Sequence, residues 1–308
     1  MALKQVLEIY EMLDSAKANG EQVAALLRER GVADAVSIHI EGKTGGTDFV
    51  SGSLPGDGSG PTLGIIGRLG GVGARPAQIG MVSDGDGAAV ALAAALKLAD
   101  MAANGDVLPG RVRFATHVCP NSPVIPHQPV PFMDSHVDME TMNRHEIHPD
   151  MSAILTVDTT RGNRIINKRG FAISPTVKEG WILRTSEDLL SLMGHVTGQL
   201  PAVFALTMQD ITPYGNGAYH LNSILQPATA TSAPVVGVAL TAEVAVPGSA
   251  TGASQLFDIE QATRFCIEVA KGYTRRQCRF YDEAEYANLV ARYGSMARLQ
   301  GLGASTGA

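Results

Sequence analysis

The sequence has few cysteines, few aromatic residues and no cluster of positive charge. Three cysteines in 308 residues are too few, and odd in number, for a disulfide framework, so we expect a reducing, cytoplasmic compartment. A net charge of −6 without any run rich in lysine and arginine argues against nucleic acid and membranes as partners. Aromatic residues make up only 5% of the chain while glycine occurs 34 times, which favours close-packed α/β layers joined by tight turns.

Common site motifs are also missing. The chain contains neither a P-loop nor the G-x-S-x-G pattern of serine hydrolases. The segment Gly67–Gly73 lacks the G-x-G-x-x-G spacing of a dinucleotide loop. Asp84-Gly85-Asp86-Gly87 begins like a calcium loop, but Ala95 occupies the twelfth position, where a glutamate is needed. Ala88–Met101 is too short to span a membrane, and the first eight residues are amphipathic and acidic, unlike a signal peptide.

Apolar runs alternate with amphipathic segments along the chain. The runs predict strands at Ala35–Ile40, Thr62–Gly67, Arg111–Val118, Met151–Asp158 and Pro234–Thr241. Helices are predicted at residues 3–14, Glu21–Arg30, Ala88–Met101, Ser186–Val196 and Asp258–Ala270. This order predicts a three-layer α/β fold, with a central mixed, mostly parallel sheet and helices on both faces. We expect a single domain over residues 1–300 and a disordered tail at 301–308.

Two long segments are predicted to be loops. Gly42–Gly60 is rich in glycine, serine, aspartate and proline, which predicts a surface loop or loose hairpin. The Pro/His-rich segment from Pro120 to Asp150 contains six prolines and four histidines and shows little periodicity. Long irregular loops are uncommon in compact domains, so we expect this segment to cover a site or to pack on a neighbouring subunit.

Two carboxylates stand where a strand should end and a buried helix begin. Asp84 and Asp86 precede Ala88–Met101, which is apolar on almost every side and therefore predicts a core helix. The rim of an open α/β sheet is where ligands bind. We assign Asp86 to the N-cap of this helix. Asp84 either shapes the turn or carries function.

Polar side chains follow two further predicted strands. His117 and Cys119 end one strand, and Asp158 ends the next. Parallel strands would bring these residues and Asp84 to one edge of the sheet, because the carboxyl ends of parallel strands meet there. Carboxylate, imidazole and thiolate groups are ligands for divalent transition metals. The sequence therefore predicts a metal site at this edge.

In chain order, these features resemble the co-catalytic zinc aminopeptidases, especially the glutamyl and tetrahedral aminopeptidase families and their clan. Ser83-Asp84-Gly85-Asp86-Gly87 matches that family's bridging aspartate and helix start, and Ala153–Asp158 matches a later strand that ends in a ligand. Phe114–Cys119 falls on the strand that ends in two glutamates in the family. The chain also resembles a bacterial family of about this length that is known by a domain-of-unknown-function label, which implies no activity.

The resemblance is incomplete at the metal motif. Arg68 and Gly70 stand where the family has its first histidine and aspartate. Val118 and Cys119 replace the glutamate pair, which removes the usual general base. The resemblance thus implies the phosphorylase/hydrolase fold of zinc aminopeptidases with a degenerate metal site.

These observations support two hypotheses of function. The first is a metal-dependent hydrolase of a peptide-like or amide small molecule, with zinc as the expected metal. Its metal ligands would be Asp84 and Asp158, with His117 or Cys119 completing the site. The second is a non-catalytic small-molecule-binding or oligomer-forming protein on the same fold. Under either hypothesis we expect a homo-oligomer.

Other residues are predicted to have roles beyond metal binding. In the hydrolase, His117 or a loop residue such as Asp138 or Glu140 would take the proton from the attacking water, and Arg68 would hold a substrate carboxylate in a bidentate contact. Tyr219 and His220 lie on a glycine-interrupted segment that we expect to close over the substrate.

Overall fold

The strands and helices of the computed structural model follow most of the predicted elements, and the structure describes residues 1–206, 221 and 223–300. The helices are α1 Leu3–Leu13, α2 Gly20–Glu29, α3 Asp86–Ala103, α4 Met139–Glu146, α5 Glu187–Thr197, α6 Leu256–Thr274 and α7 Glu283–Tyr293. The strands are β1 Val36–Glu41, β2 Gly46–Leu54, β3 Leu63–Gly67, β4 Val112–Val118, β5 Val124–Ile125, β6 Phe132–Met133, β7 Ala153–Thr159, β8 Gly170–Ile173, β9 Val177–Lys178, β10 Trp181–Ile182 and β11 Val235–Thr241.

The central sheet has a parallel middle and antiparallel margins. Its order in the described residues is β1-β2-β4-β3-β7-β11-β9-β10, and β8 also pairs with β11. Strands β4, β3, β7 and β11 run parallel to one another, while β2, β8 and β9 pair antiparallel with their neighbours. Every residue of β3 and β11 is buried, as expected for parallel strands covered on both faces. The predicted mixed sheet is confirmed.

Two layers of different composition cover this sheet. One face packs against α2, α3 and α6, and α1 and α5 pack on these helices. All five helices share a large apolar core with the inward side chains of the central strands. The opposite face packs against α4 and a 3-10 turn at Ser223–Thr229. The predicted three-layer α/β fold is thus confirmed. In the part of the chain that the structure describes, no helix is long and apolar enough to cross a bilayer.

Helix α3 lies at the centre of the first layer. Alanine is its most frequent residue, and most of the helix is buried, as the apolar run predicts. Small side chains let α3 approach β3 very closely. A Cβ atom at Gly67 would lie 2.6 Å from the Gly87 carbonyl oxygen and 2.7 Å from the Ala88 Cα atom. The close contact therefore depends on glycine at position 67.

The segment Gly42–Gly60, predicted to be a surface loop or loose hairpin, is a strand of the sheet in its central part. Residues Gly46–Leu54 form β2, which pairs with β1 on one side and β4 on the other. Its glycines and serines predict a turn by composition, but here they leave space for neighbouring segments. A Cβ atom at Gly52 would lie 2.7 Å from Val32 Cγ1. Tertiary packing, which the composition does not reveal, makes this segment a strand.

The Pro120–Asp150 segment contains regular structure as well as loops. Strands β5 and β6 form a short hairpin, and α4 follows it. Asp138 begins α4 as its N-cap, accepting a hydrogen bond from the Thr141 amide at 2.8 Å. Met142 packs against Phe49 of β2. This helix is mainly polar, so its position depends on contacts with the sheet that no local periodicity indicates.

We expect the Gly67→Ala substitution to lower the free energy of unfolding by about 1–3 kcal/mol, because the backbone of α3 must move to admit one methyl group. Gly252→Ala is the control, since a Cβ atom there would have no neighbour within 4 Å. Urea unfolding of both variants measures the difference. Equal stability of the two variants would contradict the close packing of β3 on α3.

Candidate functional site

A cavity lies beside Asp84, at the carboxyl end of β7. The space inside it that is open to the centre of a water-sized sphere is about 50 Å³. Its walls come from six separate parts of the chain, represented by Leu69, by Asp84, by Thr159, Arg161 and Gly162, by Ser223, by Gly248, and by His127 with Val130–Met133. The last group belongs to the Pro120–Asp150 segment, so this segment covers the cavity, as one of the two sequence-based alternatives predicted.

Asp84 is held by backbone contacts with Gly248. It lies in a 3-10 turn at Ser83–Gly85, its amide donates to the Gly248 carbonyl at 3.0 Å, and the Ser83 hydroxyl donates to the same oxygen at 3.0 Å. Only glycine suits position 248, because a Cβ atom there would overlap the Asp84 carboxylate. The sequence Pro247-Gly248 gives no local sign of this contact, and sequence reasoning missed it.

The Asp84 carboxyl group is buried and titrates near neutral pH. Burial raises its pKa from 3.8 to about 7, and the nearby Asp86 carboxylate contributes to the rise, against the opposing effect of the Arg161 charge. A carboxyl group with this pKa exists in both protonation states at pH 7. It is therefore able to accept a hydrogen bond from a ligand in the cavity or to donate one to it.

The assignment of Asp86 as an N-cap is wrong. Gly85 occupies the N-cap position of α3, and Asp86 is the first helical residue. Its fully buried carboxylate accepts a hydrogen bond from Arg161 Nη1 at 2.6 Å and another from the Ser254 hydroxyl at 2.7 Å. Asp86 thus forms a buried ion pair that joins the start of α3 to the end of β7.

Arg161 is a cavity residue that sequence reasoning missed. It is 3% exposed, and its Nη1 atom is bound to Asp86. Its Nη2 atom is also buried but has no hydrogen-bond acceptor within residues 1–206, 221 and 223–300. The available signal was its position three residues after Asp158, in Thr159-Thr160-Arg161-Gly162, directly beyond a buried strand.

Arg68 and His117 belong to a separate buried network with Glu146 of α4. Arg68 Nη1 lies 3.2 Å from Glu146 Oε2, and Arg68 Nη2 donates to Asn143 Oδ1 at 2.5 Å. His117 Nε2 accepts from the Gly70 amide at 3.1 Å, so the imidazole proton is on Nδ1, which donates to Glu146 Oε1 at 2.8 Å. Both ring nitrogens of His117 have partners, and Arg68 does not line the Asp84 cavity. These contacts attach α4 to the sheet.

Cys119 was also predicted to be a metal ligand, and like Arg68 and His117 it has partners in the structure. Its sulfur atom lies 3.4 Å from Asn121 Oδ1 and 3.7 Å from the Gly46 carbonyl oxygen. Burial raises the pKa of the thiol, so it stays protonated at neutral pH.

Asp158 ends β7 close to the Asp84 turn. Its Oδ1 atom accepts from the Thr159 amide at 2.6 Å, and the residue is 1% exposed. The next side chain, Thr159, donates to the Ser83 carbonyl at 2.7 Å, which bonds the strand end to the turn that carries Asp84. The two predicted substrate-binding residues Tyr219 and His220 lie outside the described residues.

The described residues do not supply the expected metal ligands together. Within residues 1–206, 221 and 223–300, no group of three or more histidine, cysteine, aspartate or glutamate side chains is arranged to hold a metal ion. His117 and Cys119 already have partners, and the Asp84 carboxylate faces the Arg161 cation. This donor set does not fit a zinc site, which needs at least three protein ligands.

We expect Asp86→Asn to lower the free energy of unfolding by about 3 kcal/mol, because it leaves the buried Arg161 charge without its counter-ion. An N-cap would tolerate the same change, since asparagine and aspartate cap helices equally well. Asp282→Asn is the matched control. Asp282 caps α7 by accepting from the Ala284 and Glu285 amides. If neither Asp86→Asn nor Asp282→Asn changes the free energy of unfolding measured in urea, the ion-pair role of Asp86 is contradicted.

We expect Asp84→Asn to become progressively more stable than the parent protein as the pH rises from about 4 to 7. The raised pKa means that ionising Asp84 costs stability in the folded state, so the parent loses stability between the unfolded pKa of 3.8 and the folded pKa of about 7. The full difference is on the order of 4 kcal/mol, at about 1.4 kcal/mol for each pKa unit.

Urea unfolding at several pH values measures this difference. Asp57→Asn is the control, because Asp57 is exposed and its pKa is lowered by hydrogen bonds from Ser59. If the difference in free energy of unfolding between Asp84→Asn and the parent does not change from pH 4 to 8, the pKa of Asp84 is not raised.

The fold is similar to those of a solved maturation enzyme and a solved exopeptidase. The bottromycin maturation enzyme BotP shares 17% sequence identity over 87% of this chain and 70% of that chain, with a TM-score of 0.50. A Zn-dependent exopeptidase from Parabacteroides distasonis shares 13% identity over 88% of this chain and 96% of that chain, with a TM-score of 0.52. The leucine aminopeptidase LAP1 from Caenorhabditis elegans shares 15% identity over 88% and 67% of the chains, with a TM-score of 0.49.

At these identities the likeness concerns the fold, and the first two structures confirm the predicted aminopeptidase-like α/β architecture. Comparison with the curated proteins gives no match. The sequence pattern of a family described as "Protein of unknown function (DUF1177)" matches residues 27–303. This chain therefore belongs to the DUF1177 family.

Proposed function

We propose that this protein binds a small organic molecule in the Asp84 cavity. The observation that carries the proposal is the cavity itself, where the buried side chains of Asp84 and Arg161 lie beside an apolar wall at the carboxyl end of β7.

The composition of the cavity wall supports the same function. Val130, Pro131, Phe132 and Met133 give one apolar side, and Asp84 and Arg161 contribute the polar groups. Sites for small molecules usually combine an apolar lining with a few placed polar groups. The cavity also lies at the carboxyl end of a parallel strand, where ligands of open α/β sheets bind.

A second candidate function is the metal-dependent hydrolysis of a peptide-like or amide substrate. It is supported by the similarity in fold to a Zn-dependent exopeptidase and by the hydrogen bond that joins the turn carrying Asp84 to the strand end carrying Asp158. Zinc, when bound, would polarise a carbonyl group and activate water. It would need more ligands than the described residues bring to Asp84. We therefore rank this function second.

The first function is tested with a thermal-shift screen of small molecules. We expect to find ligands that raise the thermal unfolding midpoint of the parent protein but not that of Gly162→Val. A Cβ atom at Gly162 would already lie 3.3 Å from Val130 Cγ2, so a valine side chain at this position fills the cavity. A ligand at 100 times its Kd stabilises by about 2.7 kcal/mol. Gly252→Val is the control, since position 252 faces open space.

The same preparations separate the two functions. Metal stoichiometry is measured after purification without a His tag, before and after dialysis against a chelator. Metal that is retained by the parent, lost in Asp84→Asn and accompanied by amide hydrolysis would favour the hydrolase. Ligands that stabilise parent and Gly162→Val equally would contradict binding in the Asp84 cavity.

A further inference from the structure

We propose that the outer edge of β1 pairs with β1 of a second copy of this chain, so that two copies form a dimer with one continuous sheet. The two strands run antiparallel about a two-fold axis at Ile38. The pairing does not involve the Asp84 cavity and is independent of the ligand proposed for it. It gives the expected homo-oligomer a defined surface.

Strand β1 forms one margin of the central sheet. One of its edges pairs with β2, and among the described residues no strand pairs with the other edge. Its six residues include neither lysine nor proline, and its register with β2 contains no bulge. These are features that often keep an edge strand from pairing with another chain. The opposite margin is β10, which has only two residues and offers a much shorter edge.

The hairpin that joins β1 to β2 fixes which backbone groups of β1 point outward. The Gly42 amide donates to the Gly45 carbonyl at 2.7 Å, so these two residues form a hydrogen-bonded pair. Hydrogen-bonded and non-hydrogen-bonded pairs alternate along an antiparallel ladder, so Ile38 also bonds to β2. Ser37 and His39 therefore direct their N–H and C=O groups to the outer edge. A strand added at this edge binds through these groups.

The side chains on one face of β1 are apolar and match themselves in an antiparallel pair. Val36, Ile38 and Ile40 share this face, because alternate residues of a strand point to the same side. Val36 is 46% exposed and Ile38 45%, whereas Ile40 packs on the cluster that contains Phe49. About an axis at Ile38, Val36 of one copy lies opposite Ile40 of the other, and the two Ile38 side chains face each other. The pairing thus covers the exposed apolar side chains and extends the Phe49 cluster across the interface.

Charge complementarity favours a second copy over an extended peptide of another protein. The Glu41 side chain is 78% exposed, and in this register Glu41 stands opposite Ala35 of the second copy. The Ala35 carbonyl accepts from Arg28 Nη1 at 2.8 Å, so the guanidinium lies at that position. The pairing brings Glu41 of each copy beside Arg28 of the other, and the two-fold axis forms this contact twice. A peptide of another protein would need an acid at the same register.

Sedimentation velocity over a range of protein concentrations tests the interface. We expect the parent protein to be a dimer, and we expect Ile38→Lys to raise the dissociation constant at least about hundredfold, because it places two positive charges opposite each other at the axis. Ile182→Lys is the matched control and should remain a dimer, since Ile182 is 53% exposed on β10 at the opposite margin. Urea unfolding of both variants shows whether the fold is retained.

The Ile38→Cys variant tests the register. Non-hydrogen-bonded pairs in an antiparallel sheet have Cα atoms about 4.5 Å apart. A disulfide spans Cα distances of about 4.4–6.8 Å. Mild oxidation should therefore join two copies through position 38, whereas Ile182→Cys should stay uncrosslinked on a non-reducing gel. The native cysteines add no background because all three are buried, namely Cys119, Cys266 and Cys278.

The charge contact is tested with Glu41→Arg, which should weaken the dimer severalfold at low salt. Glu11→Arg is the control, because Glu11 is exposed on α1 and should not affect association. A parent protein that is monomeric at every concentration overturns self-pairing and leaves the edge for an extended segment of another protein. A dimer that persists in Ile38→Lys, or an Ile38→Cys variant that forms no disulfide, also contradicts the proposal.

Discussion

The buried ion pair between Asp86 and Arg161 is the contact on which the rest of the site depends. It connects the first residue of the central helix α3 to the segment after β7, through a 2.6 Å hydrogen bond between buried groups. Such a pair is stable only when both partners are present and well placed. It orients the Arg161 guanidinium, places negative charge beside Asp84, and so influences both the polarity of the cavity and the raised pKa of its carboxyl group.

The polar residues at the sheet edge divide into two groups with different roles. Arg68, His117 and Glu146 bond mainly to one another and hold the polar helix α4 on the sheet. Asp84 and Arg161 border the cavity, which the segment before α4 covers with its hairpin. Arg68 stands at the position that the resemblance to zinc aminopeptidases gives to a metal-binding histidine, and it is used here for tertiary contacts. Asp84, at the position of the bridging aspartate, borders the cavity instead.

Sequence patterns were sufficient to predict the layers of the fold and the edge of the sheet where Asp84 lies. The apolar runs at Leu63–Gly67 and Val235–Thr241 form central strands, because an uninterrupted apolar strand is stable only when it is covered on both faces. The Asp84 turn lies at the sheet edge because it precedes a helix that must pack on those strands. Strand β2 and helix α4 were not predicted, since their residues are small or polar and are held by neighbours distant in the chain.

The sequence by itself determined that the chain forms a three-layer α/β fold with Asp84 before a buried helix. Hydrophobic periodicity and the order of the elements are properties of short stretches of chain, so they can be read directly from the sequence. Only the tertiary structure decided which polar groups meet. Asp86 pairs with Arg161, 75 residues away, and the Asp84 amide donates a hydrogen bond to the carbonyl of Gly248, 164 residues further along the chain. Whether a buried charge is a cap, an ion pair or a ligand-binding group depends on such distant partners, and no local pattern of residues encodes them.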